Sequence, residues 1–345
     1  MKGRNLSKQV DWAIVIMLLF TGCGAPAATP TPIAPTATTS SASITGIWAT
    51  RADMPTARWE LSTCVVDGKI YAIGGAGPVY EALGTVEVYD PATDTWTKKS
   101  EMPTARQGLS TSVVKGKIYA IGGAECFSPS CSPIETFSSV EEYDPATDTW
   151  TRKSPMPTAR GWHSTSVLDG KIYIIGGSQD ATPGYKYHHV LTMEVYDPAT
   201  DTWSQKGDIP SSIAAGSASL VDGKIYLIGG FPGLQKVDEY DPTTDTWTTK
   251  SEMPTARIGL STSVLDGKIY AIGGVTLRGV TRYPGVSTVE VYDPATDTWT
   301  TAPDMPTGRS GASTSVVDAK IYVFGGTPDA SALAYGIVEE YQSQE

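Results

Sequence analysis

From Trp48 to the C-terminus the chain repeats itself, and a repeat of this period leaves few folds open. The segment VEVYDPATDTW ends at Trp96, and close copies end at Trp150, Trp203, Trp247 and Trp299. Before each copy lies a stretch such as STSVVKGKIYAIGG that closes on a Gly pair. These pairs are Gly74-Gly75, Gly122-Gly123, Gly176-Gly177, Gly229-Gly230, Gly273-Gly274 and Gly325-Gly326. Counted from Trp48, successive Trp residues fall 48, 54, 53, 44 and 52 positions apart.

Each unit reads as four short strands. LSTSVV alternates small polar with apolar side chains and meets a tight Asp-Gly, Lys-Gly or Asp-Ala turn, and KIYAIGG forms the second arm of that hairpin. VEVYD is the third strand. The Pro of DPATDT stops it, because Pro has no N–H to give to a ladder. Asp90 and Asp94 suit the turn that follows, since Asx side chains bond nearby backbone amides. Trp96 opens the fourth strand, which runs out at Met102-Pro103. The Gly pair is expected where blades crowd and a Cβ has no room. The recurring Tyr71 and Trp96 sets supply apolar area between units, so they read as core and not as a ligand stripe.

The Gly pair, the spaced Tyr and the Trp resemble the kelch repeat family, over residues 47–345. The resemblance implies an all-β chain: a six-bladed β-propeller of four-stranded antiparallel blades. The last unit ends at Val338-Glu339-Glu340-Tyr341, with no DPATDTW after it. Gly46-Ile47-Trp48 is therefore expected to complete the last blade and close the ring, leaving no open sheet edge at the seam.

What precedes the repeat has another character. Residues 1–11 carry Lys2, Arg4 and Lys8 against Asp11, and the apolar run Trp12–Phe20 follows. As a helix that run spans about 14 Å, too short for a bilayer core of roughly 30 Å, so residues 1–22 read as a secretory signal. Phe20-Thr21-Gly22-Cys23 resembles the lipobox of bacterial lipoproteins, with Phe20 in place of the usual Leu. That resemblance implies cleavage before Cys23 and a lipid on its thiol; the alternative is an ordinary signal with an incidental Cys. Residues 23–45 are rich in Ala, Pro, Thr and Ser, bury too little to offset their ordering entropy, and read as a tether. The propeller, residues 46–345, is thus expected outside the cytoplasm, held at the membrane of a bacterial cell envelope, as a monomer.

Net charge is −11, and removal of residues 1–22 leaves 23 basic and 36 acidic groups, a net of −13. An acidic domain of this kind does not track phosphate backbones, so nucleic acid is excluded as a partner.

If strands alternate in direction, the one–two and three–four turns share one face of the disc, and the two–three loops and four–one links share the other. The first face is uniform and acidic. Calcium there has the right oxygen chemistry, but repeated turn chemistry explains the Asp residues without it. The second face varies. Its loops include Cys126 and Cys131 in blade two, SQDATPGYKYHHV in blade three, and Arg278, Arg282 and Tyr283 in blade five. A constant scaffold with variable loops on one face is how repeat folds carry binding sites.

The four–one link repeats MPTAR, which places Arg58, Arg106, Arg160, Arg257 and Arg309 at equivalent positions, with Ile213 in blade four. The resemblance implies that these Arg lie by the central opening. Two readings follow: a partial ring for an anionic ligand, an acidic peptide or sugar acid, or a set of ties between adjacent blades through loop carbonyls. Just beyond the Arg positions, Trp59, Glu60, Trp162 and His163 break the repeat. They are candidate ligand contacts, where a sugar ring or aromatic anchor would sit, or caps on the channel.

Cys64 stands where the other units have Ser and reads as a buried, inert thiol. Cys126 and Cys131 lie in one loop of a secreted domain, where a disulfide is expected. The chain has His163, His188 and His189 alone, so no His pair and Tyr–Cys set matches the kelch copper oxidases, and no metal or cofactor is expected. No catalytic residue is assigned. The expected function is a protein- or glycan-binding module using the variable-loop face, rather than an enzyme. The alternative is a carbohydrate enzyme, such as a sugar-acid isomerase resembling a sialic acid mutarotase, working in the central pocket.

Overall fold

The computed structural model describes residues 43–125, 135–182, 186–210, 214–231, 235–276, 284–329 and 333–344, with only the backbone of 180–182, 186 and 187. A lone strand, β1 (Gly46–Arg51), precedes the repeats. Blade one comprises β2 (Ser62–Val66), β3 (Lys69–Ile73), β4 (Val86–Asp90) and β5 (Thr95–Lys98). Blade two comprises β6 (Ser110–Val114), β7 (Lys117–Ile121), β8 (Val140–Asp144) and β9 (Thr149–Lys153). In blade three, β10 (Ser164–Leu168) and β11 (Lys171–Ile175) are followed by an extra hairpin, β12 (Ser178–Thr182) and β13 (Lys186–His189). Its sheet then resumes with β14 (Met193–Asp197) and β15 (Thr202–Gln205). Blade four holds β16 (Ser217–Val221), β17 (Lys224–Ile228), β18 (Val237–Asp241) and β19 (Thr246–Thr249). Blade five holds β20 (Ser261–Leu265), β21 (Lys268–Ile272), β22 (Val289–Asp293) and β23 (Thr298–Thr301). Blade six has β24 (Ser313–Val317), β25 (Lys320–Phe324) and β26 (Val338–Ser343) from the last repeat.

All neighbouring strands within a blade are antiparallel, and the order β1-β26-β25-β24 makes the seam blade four-stranded, as the truncated last repeat predicts. The register runs from Gly46 opposite Ser343 to Arg51 opposite Val338. Trp48 packs on Tyr341 at 5.1 Å and donates its Nε1–H to the Pro303 carbonyl at 2.9 Å. The innermost strands β2, β6, β10, β16, β20 and β24 each meet the next, and β24 meets β2, so the ring is closed: a six-bladed propeller.

The apolar alternation places its large residues between blades. Tyr71, Ile73 and Val88 of blade one pack with Met102, Leu109, Ile118 and Tyr143 of the next link and blade. The small hydroxyls of the innermost strand face their equivalents in the next blade: Ser62 bonds Thr111 at 2.8 Å, Ser217 bonds Thr262 at 2.8 Å, and Ser261 bonds Thr314 at 2.9 Å. Gly74 shows why the Gly pair is needed. Its φ is +62°, and a Cβ there would stand 2.7 Å from the Arg106 carbonyl of the following blade. That carbonyl instead accepts the Gly75 N–H at 3.0 Å, a blade-to-blade backbone bond that a side chain would block.

The acidic turns also tie blades together. Asp94 Oδ1 accepts the Tyr89 hydroxyl at 2.7 Å and the Ala52 N–H at 2.8 Å, while Trp96 Nε1 donates to the Ala52 carbonyl at 3.0 Å. Tyr143, Asp148, Ser100 and Trp150 repeat this arrangement, as do the equivalents around Asp201 and Asp297. Blade four departs from it: Tyr240 bonds Asp245, but Trp247 Nε1 is buried without a partner.

Candidate functional site

The four–one links enter the innermost strands through one residue per blade: Glu60, Gly108, Trp162, Ala215, Gly259 and Gly311. All six have positive φ, from 50° to 62°. In this left-handed conformation each N–H points at the carbonyl of its equivalent in the preceding blade. Gly108 donates to Glu60 (3.0 Å), Trp162 to Gly108 (2.7 Å), Ala215 to Trp162 (3.0 Å) and Gly259 to Ala215 (2.9 Å). Gly311 then donates to Gly259 (2.9 Å), and Glu60 to Gly311 (2.7 Å). Six backbone hydrogen bonds thus form a closed collar about the propeller axis, on the face of the variable loops.

Gly is the natural residue for a left-handed position, so the side chains that replace it mark the collar's special sector. A Cβ on Gly108 would stand 2.9 Å from Trp162 Nε1, so the indole lies over Gly108. There it hydrogen-bonds the Glu60 carboxyl, which burial pushes up to about 7 while the indole bond opposes the shift. Glu60 Oε2 is buried with no partner. Beside it, Trp59 is 8% exposed, meets Tyr80 edge-on at 6.0 Å, and leaves its Nε1–H unbonded. Gln107 is fully buried, and neither its amide nitrogen nor its oxygen has a partner. The opposite sector, Ala215, Gly259 and Gly311, carries almost no side chain. A Cβ on Gly259 would find nothing closer than 3.6 Å.

The structure separates the Arg set from this mouth. Arg58, Arg106, Arg160, Arg257 and Arg309 all have 0% exposure and form ion pairs inside their own blades. Their partners are Glu87 at 3.1 Å, Glu141 at 2.9 Å, Glu194 at 3.1 Å, Glu290 at 2.7 Å and Glu339 at 2.7 Å. The Thr of each MPT bonds the same carboxylate, from Thr56 on Glu87 at 2.8 Å to Thr307 on Glu339 at 2.7 Å. The guanidinium groups also donate to carbonyls of the blade's second strand and of the loop that follows it, as Arg106 does to Ala120 and Ser139. The anion-ring reading of the Arg set is corrected, and the tie reading holds in its loop carbonyls but is corrected in its direction. No guanidinium is exposed to an anion, and the ties run within a blade rather than between neighbours. Burial lowers Arg58 and Arg106 to about 10, against the pull of Glu87 and Glu141, so both stay charged at neutral pH.

His163 is corrected as a ligand contact in the same way. It is 5% exposed and sits between blades, where a Cβ on Gly122 would meet its imidazole at 2.7 Å. Leu61, Leu109 and Leu260 hold the equivalent place in other blades. Burial, with Arg160 and Arg106 nearby, holds its pKa down to about 3, and neither ring nitrogen has a partner. Cys64 is buried and free, its thiol pushed up to about 12 by burial, an inert group as its sequence context predicts. His188 is exposed, and His189 is half-buried against Phe231 at 5.5 Å. Among the described residues no group of three or more His, Cys, Asp or Glu is placed to hold a metal. Cys23, Cys126, Cys131, Ile213, Arg278, Arg282 and Tyr283 lie outside the described residues.

The sequence reading missed Gln107 and the five Glu partners. The latter carried a signal. The one unit without the Arg, blade four, is also the one with Asp238 in the place of that Glu, and Asp238 pairs instead with Lys236 at 3.1 Å.

The closed ring of four-stranded blades, with its Gly-pair contacts, defines a kelch-type β-propeller. The model of the KLHDC2/KLHL20/DRC7 Kelch-repeats domain matches residues 17–177 and 153–326, and the chain belongs to the kelch-repeat family. Kelch-like protein 36 of Bos taurus is 37% identical over 89 residues, covering 26% of this chain and 14% of that protein. Kelch-like protein terF of Aspergillus terreus is 29% identical over 193 residues, 55% of this chain and 33% of that protein. Kelch-like protein 15 of Homo sapiens is 29% identical over 207 residues, 56% of this chain and 26% of that protein. The chain thus spans a third or less of the length of these relatives. Among solved structures, that of YjhT superposes with a TM-score of 0.70 at 19% identity, over 82% of this chain and 94% of that one, a likeness of fold.

Proposed function

We propose that this chain is a lipid-anchored, extracytoplasmic recognition module that binds a protein or glycan through its variable-loop face. The observation that carries this reading is where the departures from the repeat fall. Among the described residues Val79, Leu191 and Leu333 are 71%, 44% and 63% exposed, and all three lie in two–three loops; the remaining exposed large apolar residue among them, Ile47, is on the outer strand β1. Trp59, Glu60 and Trp162 lie in the four–one links of the same face. Exposed apolar side chains gathered on one face of a rigid scaffold mark an interaction surface. Membership of a family whose relatives carry the propeller as a part of longer chains supports the same reading. The enclosure of every described Arg of the link in an ion pair weighs against sugar-acid isomerisation by an Arg ring, since none of these groups is left to hold a carboxylate.

The test is cross-linked capture from an envelope fraction with the full chain and with a Val79→Ser, Leu191→Ser, Leu333→Ser triple variant. A partner recovered by the wild type and lost with the variant is the expected result. Equal recovery, or none by either chain, contradicts a binding face on these loops.

A further inference from the structure

The mouth sector formed by blades one to three presents a hydrogen-bonding pattern without an occupant. Its buried, unbonded atoms are the Trp59 Nε1–H donor, the Glu60 Oε2 acceptor, the Gln107 amide donor and the Gln107 amide acceptor. Leaving a buried polar group unpaired is costly, and four such atoms from three side chains in adjacent blades are a concentration that needs explaining. Gln107 sharpens the point. It is fully buried, it precedes Gly108 in the collar, and Gly108 is the residue over which the Trp162 indole lies. The indole is held there by its bond to Glu60 and is itself only partly buried. Turning it outward uncovers the backbone of Gly108, next to Gln107, and offers an aromatic face beside the bare backbone of Ala215 and Gly259.

The balance of donors and acceptors selects the chemistry of the occupant. An anion would leave both acceptors unpaired and face Glu60, while the five described guanidinium groups of the four–one links are enclosed in ion pairs. A cation would pair with Glu60 but leave the indole and amide donors empty. A hydroxyl group donates and accepts at once, and a ring carrying several of them satisfies both kinds and stacks on an indole. We propose that this sector of the mouth binds a neutral, polyhydroxylated ring, a sugar without a carboxylate, with Trp162 as the stacking lid and Gln107, Glu60 and Trp59 as its hydrogen-bonding wall. The inference rests on the reading of the variable-loop face as a recognition surface and names what its centre takes.

The experiment follows Trp fluorescence and calorimetry of the full chain, held in nanodiscs so that no glycosidic detergent competes. The probes are D-glucose, D-galactose, N-acetyl-D-glucosamine and their β-linked disaccharides, against D-glucuronate, N-acetylneuraminate and choline. At least one neutral sugar is expected to bind saturably, and at least tenfold more weakly to Trp162→Ala and to Gln107→Leu. Gln107→Leu keeps the volume and removes only unpaired groups, so its melting temperature should equal or exceed the wild type while binding is lost. Binding of the acids or of choline in preference to every neutral sugar overturns the proposal. So does neutral-sugar binding untouched by either variant, or no binding by any probe. In the last case a protein partner that still depends on Val79, Leu191 and Leu333 would leave the recognition reading intact.

Discussion

His163 and Glu60 are buried titratable groups whose pH dependences oppose each other, so either one alone should reveal what the pair conceals. His163 titrates near 3 in the fold and near 6.5 when unfolded. Between those values the unfolded chain binds one proton more than the native one, and stability falls by about 1.4 kcal/mol for each unit the pH drops. Glu60 titrates near 7 in the fold against 4.5 unfolded, so between these values the native chain holds the extra proton. Its stabilisation is full below the lower value and is lost as pH rises through the upper one, again at about 1.4 kcal/mol per unit. From pH 4.5 to 6.5 the two slopes cancel. His163→Leu restores the residue type of Leu61, Leu109 and Leu260 and removes two unpaired nitrogens. It should stabilise by about 1–3 kcal/mol at pH 6.5. That gain should grow by about 2.3 kcal/mol at pH 4.5, where the unfolded wild type binds its proton and the variant cannot. Glu60→Gln should do the reverse, losing the excess stability at pH 4.5 and leaving the His163 slope exposed. Urea unfolding by Trp fluorescence at half-unit pH steps measures each difference from wild type. The imidazole NMR titration of a chain with only His163, His188 and His189 reads the first group directly. A difference between His163→Leu and wild type that stays flat within about 0.5 kcal/mol across this window would refute the buried, neutral assignment, since the full term is several times larger.

Further outcomes follow from the ties between strands and blades. Glu141→Gln leaves Arg106 buried without its counter-charge and should cost about 3–5 kcal/mol in urea unfolding, whereas the Arg106→Met, Glu141→Leu double variant should recover most of that loss. Gly74→Ala should cost about 2–5 kcal/mol, from left-handed strain plus collision with the Arg106 carbonyl. Gly68→Ala, at φ +71° with nothing within 4 Å, should show only the strain of about 1–2 kcal/mol by the same assay. Deleting residues 1–51 removes β1 and with it the Trp48–Tyr341 contact and the Arg51–Glu340 ion pair. Size-exclusion chromatography should then show aggregation through the bared edge of β26. Cys23→Ser should shift the expressed protein from the detergent phase to the aqueous phase on cloud-point partition; an unchanged distribution would mean that no lipid sits on that thiol.

The ring was legible because every blade restates it. The Gly pairs, the DPATDTW turns and the missing last strand each point to one architecture, and β1 pairs with β26 as the truncated repeat requires. The Arg are harder to read because each motif, alone, shows only one partner of an ion pair. An Arg in MPTAR means one thing alone and another beside the Glu that accompanies it in five blades, and the two motifs are brought together only by the fold of the third strand against the link. Blade four held the clue, since the loss of Arg at Ile213 and the change of Glu to Asp238 occur together. Such paired departures within one chain do the work that comparison between chains usually does.

The mouth was half legible for a different reason. Trp59, Glu60 and Trp162 stood out because they interrupt a repeat, yet nothing in their spacing says that the Glu60 carboxyl meets the Trp162 indole. They meet because the collar places residues 60, 108 and 162 in consecutive left-handed positions, and the middle one, Gly108, has no side chain to hold them apart. His163, one residue from Trp162, looked like part of the same group. The link just before β10 turns the His163 side chain into the interblade core, while the Trp162 indole before it lies over Gly108 of the collar. The left-handed turn at Trp162 sends the two neighbouring side chains to different environments. A run of unusual residues at a repeat boundary is therefore two sets and not one: His163 belongs to the interblade core, and Glu60 and Trp162 to the collar.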